Sequence, residues 1–261
     1  MTAGNNEFGG LVAAVTGGSS GIGLATGQLL AERGAQVALL DIVAPGEPVA
    51  DNIRHLICDV TDDTSVRTAI DAVVDLHGRL DILVANAGIG AQGTVEESPD
   101  DEWHRVLDLN VVGVARTVRA ALSSLRRSAA PAVVVTCSIA SWAGLRHRAV
   151  YSASKGALYA LTLAMAADHI TDGIRVNAVA PGTADTPWIS RLLAAVADPV
   201  AARAALEARQ PIGRLVTAPE VAHAIAYLAS PRSASTTGTV LAVDGGMYGL
   251  RVPSQAGIGR H

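Results

Sequence analysis

The apolar run at residues 11–15 leads straight into TGGSSGIG, residues 16–23, and an alanine- and leucine-rich stretch of helical character follows before the next apolar run, QVALLD, at residue 36. A strand, a glycine-rich turn and a helix in that order leave few folds open. Gly17 permits the tight turn, Gly21 lets the backbone approach a pyrophosphate and Gly23 allows close packing of helix on strand, with Ser20 and Ile22 completing the loop. The helix amino terminus presents unpaired N–H groups and the positive end of its dipole to a phosphate. Eighteen residues beyond Gly23 the second apolar run closes on Asp41. A carboxylate there accepts hydrogen bonds from both ribose hydroxyls of an adenosine half and repels a 2′-phosphate, so NAD is expected rather than NADP.

Two other readings of the loop compete. It holds no Gly-Lys-Ser/Thr, which removes a P-loop. Gly17-Gly18-Ser19-Ser20-Gly21 does satisfy the G-x-S-x-G pattern of a hydrolase nucleophile elbow. That reading puts the nucleophile after the first strand, where an elbow normally follows several, and it leaves Gly23 and Asp41 unexplained.

Further apolar, β-branched runs recur along the chain: HLICDV at 55, LDILVANAG at 80, AVVVTCS at 132, IRVNAVAPG at 174 and TVLAVDGG at 239. Continuous apolar strands separated by helix-length segments predict a parallel sheet buried on both faces. The fold expected is α/β: a single-domain, Rossmann-type, doubly wound parallel sheet of about seven strands, with helices on both faces. The chain has 261 residues, 49% of them hydrophobic and 17% charged, enough apolar matter for one large core spanning 1–261. Residues 183–214 carry Pro187 and Pro199 and read as a helical substrate lid; residues 247–261 read as an irregular tail that frays or docks on a neighbouring subunit.

The net charge is −4, with the arginines scattered among acids, so no partner in nucleic acid or at an anionic membrane is expected. Cys58 and Cys137 stand in apolar, strand-like contexts that suit buried thiols in a reducing compartment. The seven histidines show no metal-ligand spacing, and no metal is assigned. No basic leader or membrane-length apolar run is present, which points to a soluble, cytoplasmic protein.

Lysine and arginine total 20, and Lys155 is the only lysine among them. It lies four residues after Tyr151 in an alanine-rich helical segment, 149–169, so both side chains share one face. A free phenol titrates near about 10. A cation about 4 Å away at an effective dielectric near 20 favours the phenolate by roughly 4 kcal/mol, about three pKa units at most, which would bring the tyrosine toward working pH. A compact ammonium can also hold sugar hydroxyls beside the phenol, which the wide fork of arginine cannot.

In order and spacing, Thr16-Gly17-x3-Gly21-x-Gly23, Asn86-Ala87-Gly88, Asn110, Ser138, Tyr151-x3-Lys155 and Pro181-Gly182 resemble the short-chain dehydrogenase/reductase family over about residues 10–250. The resemblance implies that Tyr151 is the general acid-base, that Lys155 tunes it and binds the nicotinamide ribose, that Ser138 holds the substrate oxygen and that Asn110 helps to hold a water of a proton relay. It also implies that Asp59 and Val60 flank the adenine, that Asn86 and Gly88 border the cofactor and that Pro181, Gly182, Thr183 and Thr186 receive the nicotinamide amide. A small-molecule alcohol or ketone substrate and a homotetramer follow from the same resemblance. RHRAVYSASK, PGTADTPW, ARQPIGRL and VDGGMYGL are similar to a branch that oxidises sugars, deoxysugar acids and small hydroxy acids with NAD, such as fucose, ketodeoxyfuconate and type 2 hydroxybutyrate dehydrogenases. Arg148, Arg191 and Arg209, with Arg203, lie near the lid and suit capture of a carboxylate, although solvated helix charges would look the same one at a time. Two alternatives stay open: reduction of 3-oxoacyl thioesters, which Asp41 disfavours, and a non-catalytic cofactor sensor, which would have no need of Ser138, Tyr151 and Lys155 together.

Overall fold

In the computed structural model, which describes residues 6–194 and 196–252, the expected seven strands form one parallel sheet. They are β1 (Val12–Thr16), β2 (Gln36–Asp41), β3 (Ile53–Ile57), β4 (Ile82–Ala85), β5 (Ala132–Thr136), β6 (Arg175–Pro181) and, last in the chain, β9 (Val240–Val243). Two further strands of two residues each, β7 (Ala184–Asp185) and β8 (Val216–Thr217), pair with one another outside that sheet. The order β3-β2-β1-β4-β5-β6-β9 places the switch of winding direction between β1 and β4. A crevice opens there above the carboxyl ends of the strands.

Alternation along each strand sorts the core into two layers. Ala14, Leu40, Leu83, Val135 and Ala180 face the layer that also holds Val66, Val118 and Leu158, from α2 (Asp63–His77), α4 (Gly113–Leu125) and α5 (Ala149–Asp168). Their neighbours Val15, Leu39, Val84, Val134 and Val179 face Leu30 and Ile225, from α1 (Gly21–Glu32) and α8 (Ala218–Ala229). This period of two, apolar on both sides, explains why the strands read as unbroken apolar runs.

Two buried charges fix the frame. Asp81 is fully buried and accepts from the Val12 amide at 2.9 Å, from Arg79 Nε at 2.8 Å and from the Ser128 hydroxyl, tying together the entries to β1, β4 and β5. Arg175 donates to the carbonyls of Leu228 and Ala229, the last of α8, and of Ser230, which caps the helix; carbonyls at a helix end need such partners.

Between β7 and β8 the chain forms α6 (Pro187–Ala194) and α7 (Pro199–Ala208), each opening on a proline that suits a first helical turn. The short β7–β8 pair pins both ends of this excursion; two-residue strands are too short to leave a periodicity in the sequence. At the carboxyl end, Asp244 accepts from the amides of Gly246 and Tyr248, and the Tyr248 ring lies 5.0 Å from that of Trp142. The described part of the tail thus packs on its own chain, while residues 253–261 lie outside the described residues. No helix among the described residues is long and apolar enough to cross a membrane.

Candidate active site

A cleft of about 540 Å³ runs over the carboxyl ends of the strands from Asp41 to α6. At one end is the glycine loop. Gly17 has φ +62°, and a Cβ on Gly23 would stand 2.1 Å from the Gly17 carbonyl oxygen, so α1 approaches the loop as closely as a chain without a side chain allows. The Ser20 side chain makes no capping bond at the start of α1. Gly21 and Ile22 line the cleft here, and the amides of this first turn have no intrahelical partner, as an anion site requires. Asn86 latches this region: its Nδ2 donates to the carbonyls of Thr16 and Gly17 at 3.1 and 3.2 Å, and its Oδ1 accepts from Thr136 at 3.1 Å.

Asp41 lines the cleft beyond the loop, one carboxylate oxygen accepting from the Ser19 amide at 3.1 Å and the other from Val43 at 3.4 Å. Ser19, the would-be hydrolase nucleophile, is buried and donates its hydroxyl to the Val43 carbonyl at 2.6 Å. It has neither exposure nor a free proton for nucleophilic work. Asp59 and Val60 line the same end of the cleft. The Asp59 carboxylate is held below its usual range, chiefly by hydrogen bonds from the Thr61 hydroxyl and amide.

At the opposite end Ser138, Tyr151 and Lys155 line one wall together. Ser138 follows β5, is buried, and its Oγ accepts from the Ala140 amide at 3.2 Å, so an accepting bond orients the hydroxyl while its own proton has no acceptor among the described residues. The Tyr151 ring sits in a small apolar cluster with Ala91, Val106 and Val150. Lys155 is 4% exposed; its ammonium donates to the Thr136 carbonyl at 2.8 Å and stands 5.9 Å from the centre of the Tyr151 ring. Asn110 sits on a single π-helical turn, Asp108–Val112, between α4 and the preceding helix α3 (Asp100–Leu107). Its side chain is fully buried and committed to protein groups: Oδ1 accepts from the Ile89 amide at 2.8 Å, and Nδ2 donates to the Ile89 carbonyl and to Ser154 Oγ, each at 3.0 Å. This clamp fixes the loop after β4 against the helix that carries Tyr151.

The structure brings Gly88, Pro181, Gly182, Thr183 and Thr186 to the same cleft, with Thr186 against Gly21. The residues present thus fit a dinucleotide: exposed helix-end amides in the middle, a carboxylate at one end, and a hydroxyl, a phenol and an ammonium at the other. Arg148, Arg191 and Arg209 also line the cleft. Arg203 does not; it pairs with Asp185 at 2.6 Å and Glu207 at 3.0 Å.

Sequence reasoning missed three contributors. Thr136 supplies the acceptor for Lys155 and was visible only as a polar residue closing an apolar strand. Ser154 bridges Asn110 and the backbone of Tyr151. Trp188 of α6 lies directly over Gly90, where a Cβ would come within 2.3 Å of its ring, so α6 rests on the loop after β4. Among the described residues no cluster of His, Cys, Asp or Glu could hold a metal.

The family described as enoyl-(acyl carrier protein) reductase matches residues 17–248. Cis-4-hydroxycyclohexanecarboxylate dehydrogenase of Sinomonas cyclohexanicum is 42% identical over 243 residues, covering 90% of this chain and 95% of that protein. A 3-oxoacyl-[acyl-carrier-protein] reductase of Vibrio cholerae is 35% identical over 244 residues, covering 92% and 98%. Among solved structures, ligand-free aldohexose dehydrogenase of Thermoplasma acidophilum superposes with a TM-score of 0.88 at 32% identity, covering 96% of this chain and all of that one.

Proposed function

The chain belongs to the short-chain dehydrogenase/reductase family, whose members use a nicotinamide cofactor, and from that premise we propose that it is an NAD(H)-dependent oxidoreductase interconverting a secondary alcohol and a ketone, or a sugar hemiacetal and its lactone, on a sugar, a sugar acid or a small hydroxy acid. The observation that carries the reading is the placing of Ser138, Tyr151 and Lys155 on one wall of a cleft whose far end is closed by Asp41.

When bound there, the nicotinamide would exchange a hydride with the substrate carbon. The chain's own residues handle the proton and the positioning. Ser138 Oγ, already accepting from Ala140, turns its free proton to the substrate oxygen and orients it. Tyr151 Oη takes the proton of an alcohol during oxidation, or gives one to a ketone oxygen during reduction. The buried ammonium of Lys155, held by the Thr136 carbonyl, would offer its remaining protons to ribose hydroxyls. Asn110 maintains this geometry through Ile89 and Ser154, and any water behind Lys155 would complete the relay. Gly17 through Gly23 would seat the pyrophosphate. Asp41 would accept the ribose hydroxyls, Asp59 and Val60 would flank the adenine, and Pro181, Gly182, Thr183 and Thr186 would receive the amide, with segment 183–214 closing as a lid.

The named relatives support the substrate class: one acts on a hydroxylated cyclohexanecarboxylate and another on an aldohexose, both six-membered rings bearing a secondary hydroxyl or hemiacetal. The Vibrio cholerae relative favours a second reading, reduction of a 3-oxoacyl thioester. Asp41 weighs against it, since such biosynthetic reductases usually resemble users of NADP(H). A homotetramer is supported by Tyr159 and Leu163 exposed on α5 and by Leu241 exposed on the edge strand β9, whose unpaired edge invites another copy. The two buried free thiols agree with a reducing, cytoplasmic setting. The test is the initial rate of NADH appearance with NAD and a panel of aldoses, deoxysugar acids and cyclic or short hydroxy acids, beside Tyr151→Phe. Turnover abolished in the variant supports the reading, whereas silence on the panel with turnover of a 3-oxoacyl thioester by NADPH replaces it with the second.

A further inference from the structure

Nine arginines of the described residues form ion pairs with Asp or Glu, among them Arg79, Arg116, Arg203 and Arg214. Arg148 and Arg209 have no acidic partner among the described residues, yet both line the substrate end of the cleft. Arg148 is half-buried, and its one hydrogen bond, Nη1 to the Ala91 carbonyl at 3.0 Å, fixes the guanidinium without neutralising it. The residue before it, His147, has φ +54° and is the only non-glycine residue with positive φ among the described residues. Such a conformation costs of order 1–3 kcal/mol and persists where the surroundings demand a particular placement. Here a clamp between two segments of the chain imposes it, with the Gly93 amide donating to the His147 carbonyl at 3.0 Å and the Ala149 amide to the Gly93 carbonyl at 3.1 Å. The clamp delivers Arg148 to the amino terminus of α5, three residues before Tyr151.

Resting on the oxidoreductase reading above, we propose that Arg148 and Arg209 form an anion seat beside Tyr151, and that the substrate is a hydroxy acid whose carboxylate occupies it. Two uncompensated like charges at one end of a cleft repel each other, and a carboxylate that accepts from both removes the repulsion while gaining charge-assisted hydrogen bonds. Burial holds Arg148 below its usual range, and the Arg209 guanidinium pushes the same way, against an opposing pull from Tyr151. Leu145, Ile189, Trp188 and Met247 supply apolar walls to the same cleft. The ligand that fits is a carboxylate on an apolar carbon frame, with its hydroxyl on a carbon that reaches Ser138 and Tyr151.

A binding experiment separates this proposal from the reaction itself. Cyclohexanecarboxylate, which has no hydroxyl to oxidise, and its neutral isostere cyclohexanecarboxamide are titrated calorimetrically into the NADH-loaded protein and into Arg148→Met and Arg209→Met, with circular dichroism to confirm folding. The wild type is expected to prefer the carboxylate by about tenfold or more, the scale of one charge-assisted hydrogen bond. Each variant should bring that preference close to one, and Arg209→Met, which breaks no side-chain hydrogen bond among the described residues, guards against a folding artefact at Arg148. Equal binding of acid and amide by the wild type, or a preference that survives in both variants, overturns the anion seat. A preference lost in both variants, in a protein that turns over no alcohol of the panel, upholds the seat and removes the sugar or hydroxy-acid dehydrogenase reading on which the substrate assignment rests.

Discussion

The ammonium of Lys155 donates to the carbonyl oxygen of Thr136 at 2.8 Å, which ties the chain's only lysine to the strand that ends two residues before Ser138. Helix α5 and strand β5 are thereby locked at the point where their side chains must cooperate. Replacing Lys155 with Met would leave the Thr136 carbonyl without this partner and the tyrosine without its cation. Replacing it with Arg keeps a charge but brings a wide planar group into a site already bordered by Gly88 and Asn110, whose Oδ1 lies 3.4 Å from a Cβ placed on Gly88. Both variants are expected to lose about 10²-fold or more in kcat/KM, the scale of a lost acid-base arrangement. A Lys155→Arg enzyme that retains near-native turnover would show that charge alone suffices.

Cofactor choice is a prediction about Asp41. Its carboxylate faces the cleft with one bond from Ser19 and one long bond from Val43, which leaves it acceptor capacity for ribose hydroxyls and a charge that repels a 2′-phosphate. The wild type should favour NAD. Asp41→Ala should lower kcat/KM for NAD and raise it for NADP, moving their ratio by about tenfold or more, the scale of one lost charged hydrogen bond. Steady-state rates with both cofactors check it, and an unchanged ratio would move the determinant elsewhere.

How much of this was legible in the sequence follows from the physics of each feature. The five inner strands β1, β2, β4, β5 and β6 were visible because burial on both faces makes each a continuous apolar run, and the half-exposed edge strands β3 and β9 showed through their apolar, β-branched residues. Tyr151 and Lys155 were visible because spacing on a helix fixes which side chains share a face. Pro187 and Pro199 marked the starts of α6 and α7. The bond from Lys155 to Thr136, the commitment of Asn110 to Ile89 and Ser154, and the clamp that delivers Arg148 were not legible, since each joins segments far apart in the chain through backbone groups that carry no residue-specific signal. Arg203 and Arg148 look alike in sequence. Only their neighbours separate an ion-paired surface arginine from an unneutralised one in the cleft.

Stability should depend on Asp81 rather than on any residue of the cleft. It is fully buried at the opposite ends of the strands and serves the Val12 amide, Arg79 and Ser128 at once. Asp81→Ala strands a buried N–H and a hydroxyl, and should cost about 3 kcal/mol; the Arg79 side chain is itself half-exposed and recovers water, so it adds little. Urea denaturation should show the lower midpoint, with NADH affinity of the folded fraction unchanged. A midpoint within about 0.5 kcal/mol of the wild type, the range of an ordinary surface change, would remove Asp81 as a pin.

The thiols give a pH test of the cleft itself. Burial, followed by the nearby carboxylates of Asp59 and Asp41, pushes Cys58 up from 9.0 to about 11, and burial also raises Cys137. A raised thiol pKa means the neutral, unreactive form persists through the physiological range, and the thiolate fraction grows about tenfold for each pH unit until the solution nears that value. Between pH 7.5 and 9, alkylation of Cys58 by iodoacetamide should therefore be about a hundredfold slower than that of an unfolded-chain thiol and should climb steadily with pH. Peptide mapping by mass spectrometry distinguishes Cys58 from Cys137. Because Cys58 lines the cleft near Asp59, saturating NADH should slow its labelling further, whereas a rate that levels off below pH 9 would mean that the thiol ionises more easily than its surroundings allow.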